Sequence, residues 1–196
     1  QRPDVKNNRL DSTAKSISGH GGNMSFSTNS NSGWNFATWL SWLSPGLEFN
    51  DIGYLRESDN INQVLWVGYS SPQPKGLIRR INFNMAAYQG WNFDGVHKYW
   101  GLEASTFLRF TNYWSFGTGL NYNGQSNSTA LLRGGPIFII PNRTSYWAVV
   151  ETDERKKLSF ELMFSESRGS SSYQTRTNVS LDVTYRPIDR LKISLE

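Results

Sequence analysis

From Tyr173 to Arg186 the chain alternates without a break. Tyr173, Thr175, Thr177, Val179, Leu181, Val183 and Tyr185 take every second position, with Gln174, Arg176, Asn178, Ser180, Asp182, Thr184 and Arg186 between them. Successive side chains of an extended strand point to opposite faces, so the segment has one apolar and one polar face. It outruns the usual strand of about 5–6 residues. It also exceeds the roughly 9–11 residues with which a tilted strand crosses a bilayer. What this chain becomes depends on whether that apolar face meets a protein core or lipid.

The same alternation recurs. Trp34, Phe36, Thr38, Leu40 and Trp42 alternate with Asn35, Ala37, Trp39 and Ser41, and Phe83 and Met85 alternate with Asn82 and Asn84. Trp100 to Phe110, Trp114 to Tyr122 and Leu158 to Phe164 repeat it. No window carries the i, i+3, i+4, i+7 spacing of an amphipathic helix. The pattern predicts an all-β chain with strands near 21–29, 33–43, 61–70, 77–88, 99–110, 113–123, 142–152, 157–167, 172–186 and 190–196. Trp34, Phe36, Leu40, Trp42, Phe83, Leu108, Leu158, Phe160 and Leu181 are expected on the outer face. Asn82, Asn84, Glu103, Arg109, Asn121, Glu161, Arg176 and Asp182 are expected on the inner one.

Composition bears on which solvent the apolar face sees. Hydrophobic residues make up only 37% of the chain, yet aromatics reach 14%, with 8 Trp, 9 Tyr and 11 Phe. Single apolar residues on alternate positions, with large rings at strand ends, fit an outer-membrane barrel: apolar band, aromatic girdles, polar interior. A soluble β-sandwich also alternates and is the competing architecture. There is no cysteine, which excludes disulfides and thiolate metal sites. No apolar run is long enough for a transmembrane helix, and Gln1 opens no signal peptide. The net charge of +4 is carried by scattered basic residues, which argues against a nucleic-acid partner.

Connections of unequal length separate the expected strands. Residues 44–60, 89–98 and 124–141 are long; 71–76, 111–112, 153–156 and 187–189 are short. Short turns on one rim and long loops on the other are the outer-membrane pattern. It predicts an antiparallel up-and-down transmembrane β-barrel, or part of one, of about ten strands. Pro136 and Pro141 place 132–140 within a long loop, since proline cannot donate to a ladder; an edge strand at 137–140 is the alternative. Residues 1–20 are read as a lead-in and 21–196 as the barrel domain. The last strand is short, so it is not expected to meet the strand at 21–29, and the domain is expected to be a fragment of a larger barrel.

Six blocks, in order, carry a family resemblance. They are Ser44-Pro45-Gly46 with Asn50 to Arg56; Trp66-Val67-Gly68-Tyr69; Asn82-Phe83-Asn84 with Gly90-Trp91-Asn92-Phe93; Asn112-Tyr113-Trp114; Arg133-Gly134-Gly135-Pro136; and Thr152 to Lys156. From about residue 33 onward the chain resembles a C-terminal β-barrel domain of unknown function. That domain occurs in outer-membrane proteins carrying an N-terminal family-9-like carbohydrate-binding module. The resemblance implies an outer-membrane location and a sugar-binding-like domain elsewhere in the protein, and it supplies no catalytic residues. Barrels of that family look longer than this chain.

Candidate sites are few. The two histidines are His20 and His97, and His97 lies near Asp94. A lone loop histidine is more simply a solvated one, and no H-E-x-x-H, G-x-S-x-G or P-loop motif is present. Glu48, Asn50, Asp51, Glu57, Asp59 and Asn60 gather oxygen atoms in one loop without a calcium-loop spacing, and Asx turns account for them. The Arg133-Gly134-Gly135-Pro136 run could form a backbone anion nest, though a glycine bend explains it as well. Trp91, Phe93 and Trp100 could stack on sugar rings or belong to an interfacial girdle. The expected ligand-binding set is therefore Trp91, Phe93, Trp100, His97, Arg133, Asp51 and Arg56, with no metal, cofactor or catalytic residue. The expected function is an outer-membrane pore or surface anchor linked to glycan binding or uptake, with the bilayer, a glycan or further barrel segments as partners. A soluble or surface carbohydrate-binding β-sandwich is the alternative.

Overall fold

The structure is a computed structural model that describes residues 13, 15–47, 57–129, 131–132, 135–170, 175–188 and 191–195. Those residues form strands and connections and no helix. The strands are β1 (Gly21–Ser27), β2 (Gly33–Leu43), β3 (Asn60–Ser71), β4 (Ile78–Trp91), β5 (His97–Phe110) and β6 (Ser115–Asn123). They continue as β7 (Ser126–Ser128), β8 (Phe138–Ile140), β9 (Arg143–Glu151), β10 (Leu158–Gly169), β11 (Thr175–Ile188) and β12 (Leu191–Leu195). Ten of them make one antiparallel sheet in the order β1-β2-β3-β4-β5-β6-β9-β10-β11-β12, and β7 and β8 pair separately. Neighbours in the sheet are neighbours in the chain, with a single excursion between β6 and β9.

Register carries the alternation of each strand across the whole sheet. Trp34 lies opposite Tyr69, Tyr69 opposite Phe83, Phe83 opposite Thr106, and Thr106 opposite Thr118. The row continues through Ala148, Phe164 and Val179. Residues directly opposite share a face, so Phe36, Leu40, Leu65, Met85, Leu102, Leu120, Leu162 and Leu181 stand on one side. The other side carries Asn35, Asn62, Asn84, Glu103, Asn121, Glu161 and Asp182. All the residues expected on the outer face lie on the apolar side, and all those expected inside lie on the polar side.

Nothing in the described residues covers the apolar side. Trp34 is 56% exposed, Phe36 53% and Val179 66%, and among the described residues the only buried hydrophobic ones are Ala37 and Ala86 on the polar side. A sandwich would require a second sheet packed at about 10 Å, and the described residues offer only the β7–β8 ribbon. Among the described residues the sheet is open: β1 pairs only with β2, and β12 only with β11. The two terminal strands therefore do not meet, as expected, and closure into a barrel is not formed by these strands among themselves.

Two expectations are corrected. The supposed long loop 89–98 is short, because β4 runs to Trp91 and β5 begins at His97. A register shift between Gly90 and Trp91 lets the ladder continue past the residues that read as a loop. Connection 92–96 is thus as short as turn 28–32 on the opposite rim. Within 124–142, residues 138–140 are a strand after all, but they pair with β7 instead of joining the main sheet. Proline on either side, at 136 and 141, suits a strand that stays out of the main ladder.

Candidate functional site: two rims and the polar face

Antiparallel strands reverse direction at each connection, so connections 44–59, 92–96 and 124–142 share one rim. Turns 28–32, 72–77, 111–114 and 152–157 share the other. Of the expected ligand-binding set, Asp51, Arg56 and Arg133 lie outside the described residues. Trp91 and Trp100 are strand residues of the apolar face near the first rim, and Phe93 lies in connection 92–96. The His97 ring sits 5.7 Å from Trp91, Phe93 packs 6.0 Å from His20, and Trp100 lies 5.4 Å from Tyr122. These rings are spent on separate neighbours and do not converge on one platform.

Connection 92–96 is held by Asn92, which is 2% exposed. Its Oδ1 accepts from the Val96 amide at 2.7 Å, and its carbonyl accepts from Gly95 at 3.1 Å. Gly95 has φ +78°, a conformation open to glycine at little cost. Of the residues considered for calcium, Glu48, Asn50 and Asp51 lie outside the described residues, and two of the others are engaged elsewhere. Asp59 accepts from the Phe93 amide at 2.8 Å, and Glu57 pairs with the buried Lys98 ammonium at 2.6 Å. Asn127 donates to the His97 carbonyl at 2.7 Å, tying the third connection to β5.

Glycine and aromatic rings interlock on the polar face between β3 and β9. Tyr99 lies over Gly90 of β4 and donates to Asn62 of β3. Tyr88 lies over Gly101 of β5 and donates to Asn123 of β6 at 2.7 Å, while Asn121 donates back to it at 3.2 Å. Trp147 covers Gly119, and Phe107 covers Gly117. A β-carbon at any of these glycines would strike the ring, so absence of a side chain is what lets each ring cross to the next strand. The residues missed at sequence level are these glycines; Gly117 and Gly119 at alternate positions of a strand were the available signal.

Beyond β6 the polar face changes character. Glu151, Glu161 and Asp182 stand directly opposite one another across β9, β10 and β11. Ser115 separates Glu151 from Arg109, and Arg80 follows in the same row. A cavity of about 250 Å³ opens here, lined by the three carboxylates, Ser115 and Arg109 together with Thr184, Arg186 and Lys192. No group of three metal-ligating side chains converges among the described residues. Acid and base are thus separated along one row of a single face.

The second rim is stitched by cations. Asp153 accepts from Arg155 Nε at 2.8 Å and Nη2 at 2.7 Å, a bidentate pair within one turn. The Arg155 guanidinium holds the Asp153 carboxyl down to about 2. That guanidinium also lies 3.0 Å from the Tyr113 ring centroid, with Arg79 at 4.6 Å. Arg79 and Arg155 together hold the Tyr113 hydroxyl below its ordinary value. Tyr113 itself has φ +67°, in a turn closed by Trp114 donating to Asn112 at 3.1 Å. Arg186 donates to the Glu154 carbonyl at 3.2 Å.

Set against known proteins, residues 3–196 match the model of a family described as Domain of unknown function (DUF5916), and the chain belongs to that family. No curated protein and no solved structure matches it.

Proposed function

We propose that this family member forms wall strands of an outer-membrane β-barrel, with lipid on the apolar face and the polar face lining the interior. The observation that carries this is the uncovered apolar face: Trp34, Phe36, Leu65, Leu120, Leu162 and Val179 stand exposed on one side of ten hydrogen-bonded strands. In water such a face is far larger than the few hundred Å² that monomeric proteins expose. In a bilayer it is the expected surface. Strands of 12 to 14 residues, such as β3, β4, β5, β10 and β11, are long enough to cross the apolar layer at a tilt.

Trp91 and Trp100 then belong to an aromatic girdle, together with Trp42 and Tyr122, and not to a sugar platform. An open edge cannot face hydrocarbon, because each unpaired backbone group there costs several kcal/mol. The outward edges of β1 and β12 therefore take further strands to close the barrel. The rim of connections 44–59, 92–96 and 124–142, with Trp91, Phe93 and His97 beside it, faces outside the cell, where the protein serves as a pore or a surface anchor linked to glycan binding or uptake. The deciding experiment uses the full-length protein. It should require detergent, shift its gel migration on heating, and either conduct in planar bilayers (a pore) or remain silent (an anchor). A protein that stays monomeric in plain buffer would defeat the proposal.

A further inference from the structure

We infer that the short-turn rim is a docking surface for anionic phospholipid headgroups. The inference rests on the membrane placement proposed above. Basic residues that are scattered in sequence converge there, because every second connection returns to the same rim. Lys75, Arg79, Lys156 and Lys157 all lie in or beside turns 72–77, 111–114 and 152–157, and all are exposed. Their positive charge is not cancelled locally. Asp153 is taken up by Arg155 at 2.7 Å, and Glu154 lies 3.5 Å from Arg109.

Apolar residues sit among these cations at the same level. Leu77 is 78% exposed and Ile188 63%, and Trp114 and Leu158 are also exposed. Leu77 precedes Arg79 by two positions, and Leu158 follows Lys157. A nucleic acid or an acidic protein would engage the charges and leave these apolar groups in water. A phospholipid layer takes both, since the phosphates meet Lys and Arg while acyl chains meet Leu, Ile and Trp. Arg79 and Arg155 bracket the Tyr113 ring, which keeps two guanidinium groups spread along the rim instead of free to fold away. Across the sheet, the described part of the other rim pairs Lys98 with Glu57 and Arg168 with Glu166, and shows no such surplus.

The test uses the full-length protein reconstituted into vesicles of phosphatidylcholine alone, or of equal parts phosphatidylcholine and phosphatidylglycerol. In the mixed vesicles one lipid at a time carries brominated acyl chains, and quenching of tryptophan fluorescence reports which lipid is adjacent. Brominated phosphatidylglycerol should quench several-fold more effectively than brominated phosphatidylcholine. Each cation removed should lower that preference by up to about fivefold, so K156Q/K157Q should erode it and R79Q/K156Q/K157Q should abolish it. Added salt should weaken it in the same direction. Both variants should still float with phosphatidylcholine vesicles, because the apolar face is untouched. Flotation with equal quenching by the two lipids overturns the headgroup inference alone, as does a preference that survives in the triple variant. Failure to float with either vesicle overturns the membrane placement and the inference together.

Discussion

The polar face is two surfaces joined along β6 and β9. Between β3 and β9, rings cross over glycines and end on amides: Tyr99 over Gly90 to Asn62, and Tyr88 over Gly101 to Asn123. From β9 to β11 the same side of the same sheet carries Glu151, Glu161 and Asp182 opposite one another, beside open volume. One half is closed by shape and the other is kept open by charge. Identical backbone pairing therefore supports both a packed wall and a wet one, and the side-chain choice at alternate positions decides which.

That contrast is broken most directly at the glycines. Gly101→Val should cost about 3 kcal/mol, at the upper end for overpacking, because the new side chain displaces Tyr88 from both asparagines. Urea unfolding of the full-length protein in detergent or lipid would measure it, and an unchanged midpoint would show that the interlock is incidental. A smaller loss of about 1 kcal/mol is expected for Tyr88→Phe, which keeps the ring over Gly101 but leaves Asn121 and Asn123 without the hydroxyl. In the charged half the sign should reverse. Glu161→Gln removes like charge directly across from Glu151 and Asp182 and should stabilise by a few tenths of a kcal/mol. Destabilisation by that substitution would mean that an unseen cation normally holds the three carboxylates together.

The smallest effect concerns Asp153, at the edge of the charged half. Its folded carboxyl is depressed from 3.8 to about 2 by the Arg155 guanidinium. A depressed acid contributes stability above its unfolded value and loses that contribution as pH falls through the folded one. Stability should therefore decline between pH 3.8 and about 2, and Asp153→Asn should flatten that part of the profile. A variant whose acid limb matched the parent would assign the turn's stability to Tyr113 and the backbone instead.

Strand positions were legible because alternation is a local property: ten segments read from period two became ten paired strands, with ends displaced by a few residues. The errors fell where the period is interrupted. Gly90, Asn92 and Gly95 look like loop formers, yet a register shift carries β4 through Trp91. Face assignment survived because a slip of one residue would have turned every side chain over. The site was less legible. The interlocked rings depend on which residue of a neighbouring strand lies opposite, and register of that kind is absent from any single segment. The cationic rim escaped notice for the same reason, as Lys75 and Arg79 are far from Lys156 and Lys157 until the strands fold back. Alternation already placed Trp100 on the apolar side with Leu102 and Leu108, whereas Trp91, read as a loop residue, was placed there only by its pairing with Ile61.

The succession of strands also bears on how such a sheet comes into being. Except for the step from β6 to β9, every ladder joins segments consecutive in the chain, so each can close as a hairpin without waiting for a distant partner. Loop-closure entropy is then met in small instalments, and assembly is fast for a β protein. Hairpins can be added in order, and at any moment only the two outermost strands present unpaired backbone. A nascent chain of this design needs shielding at two advancing borders, whatever its eventual length.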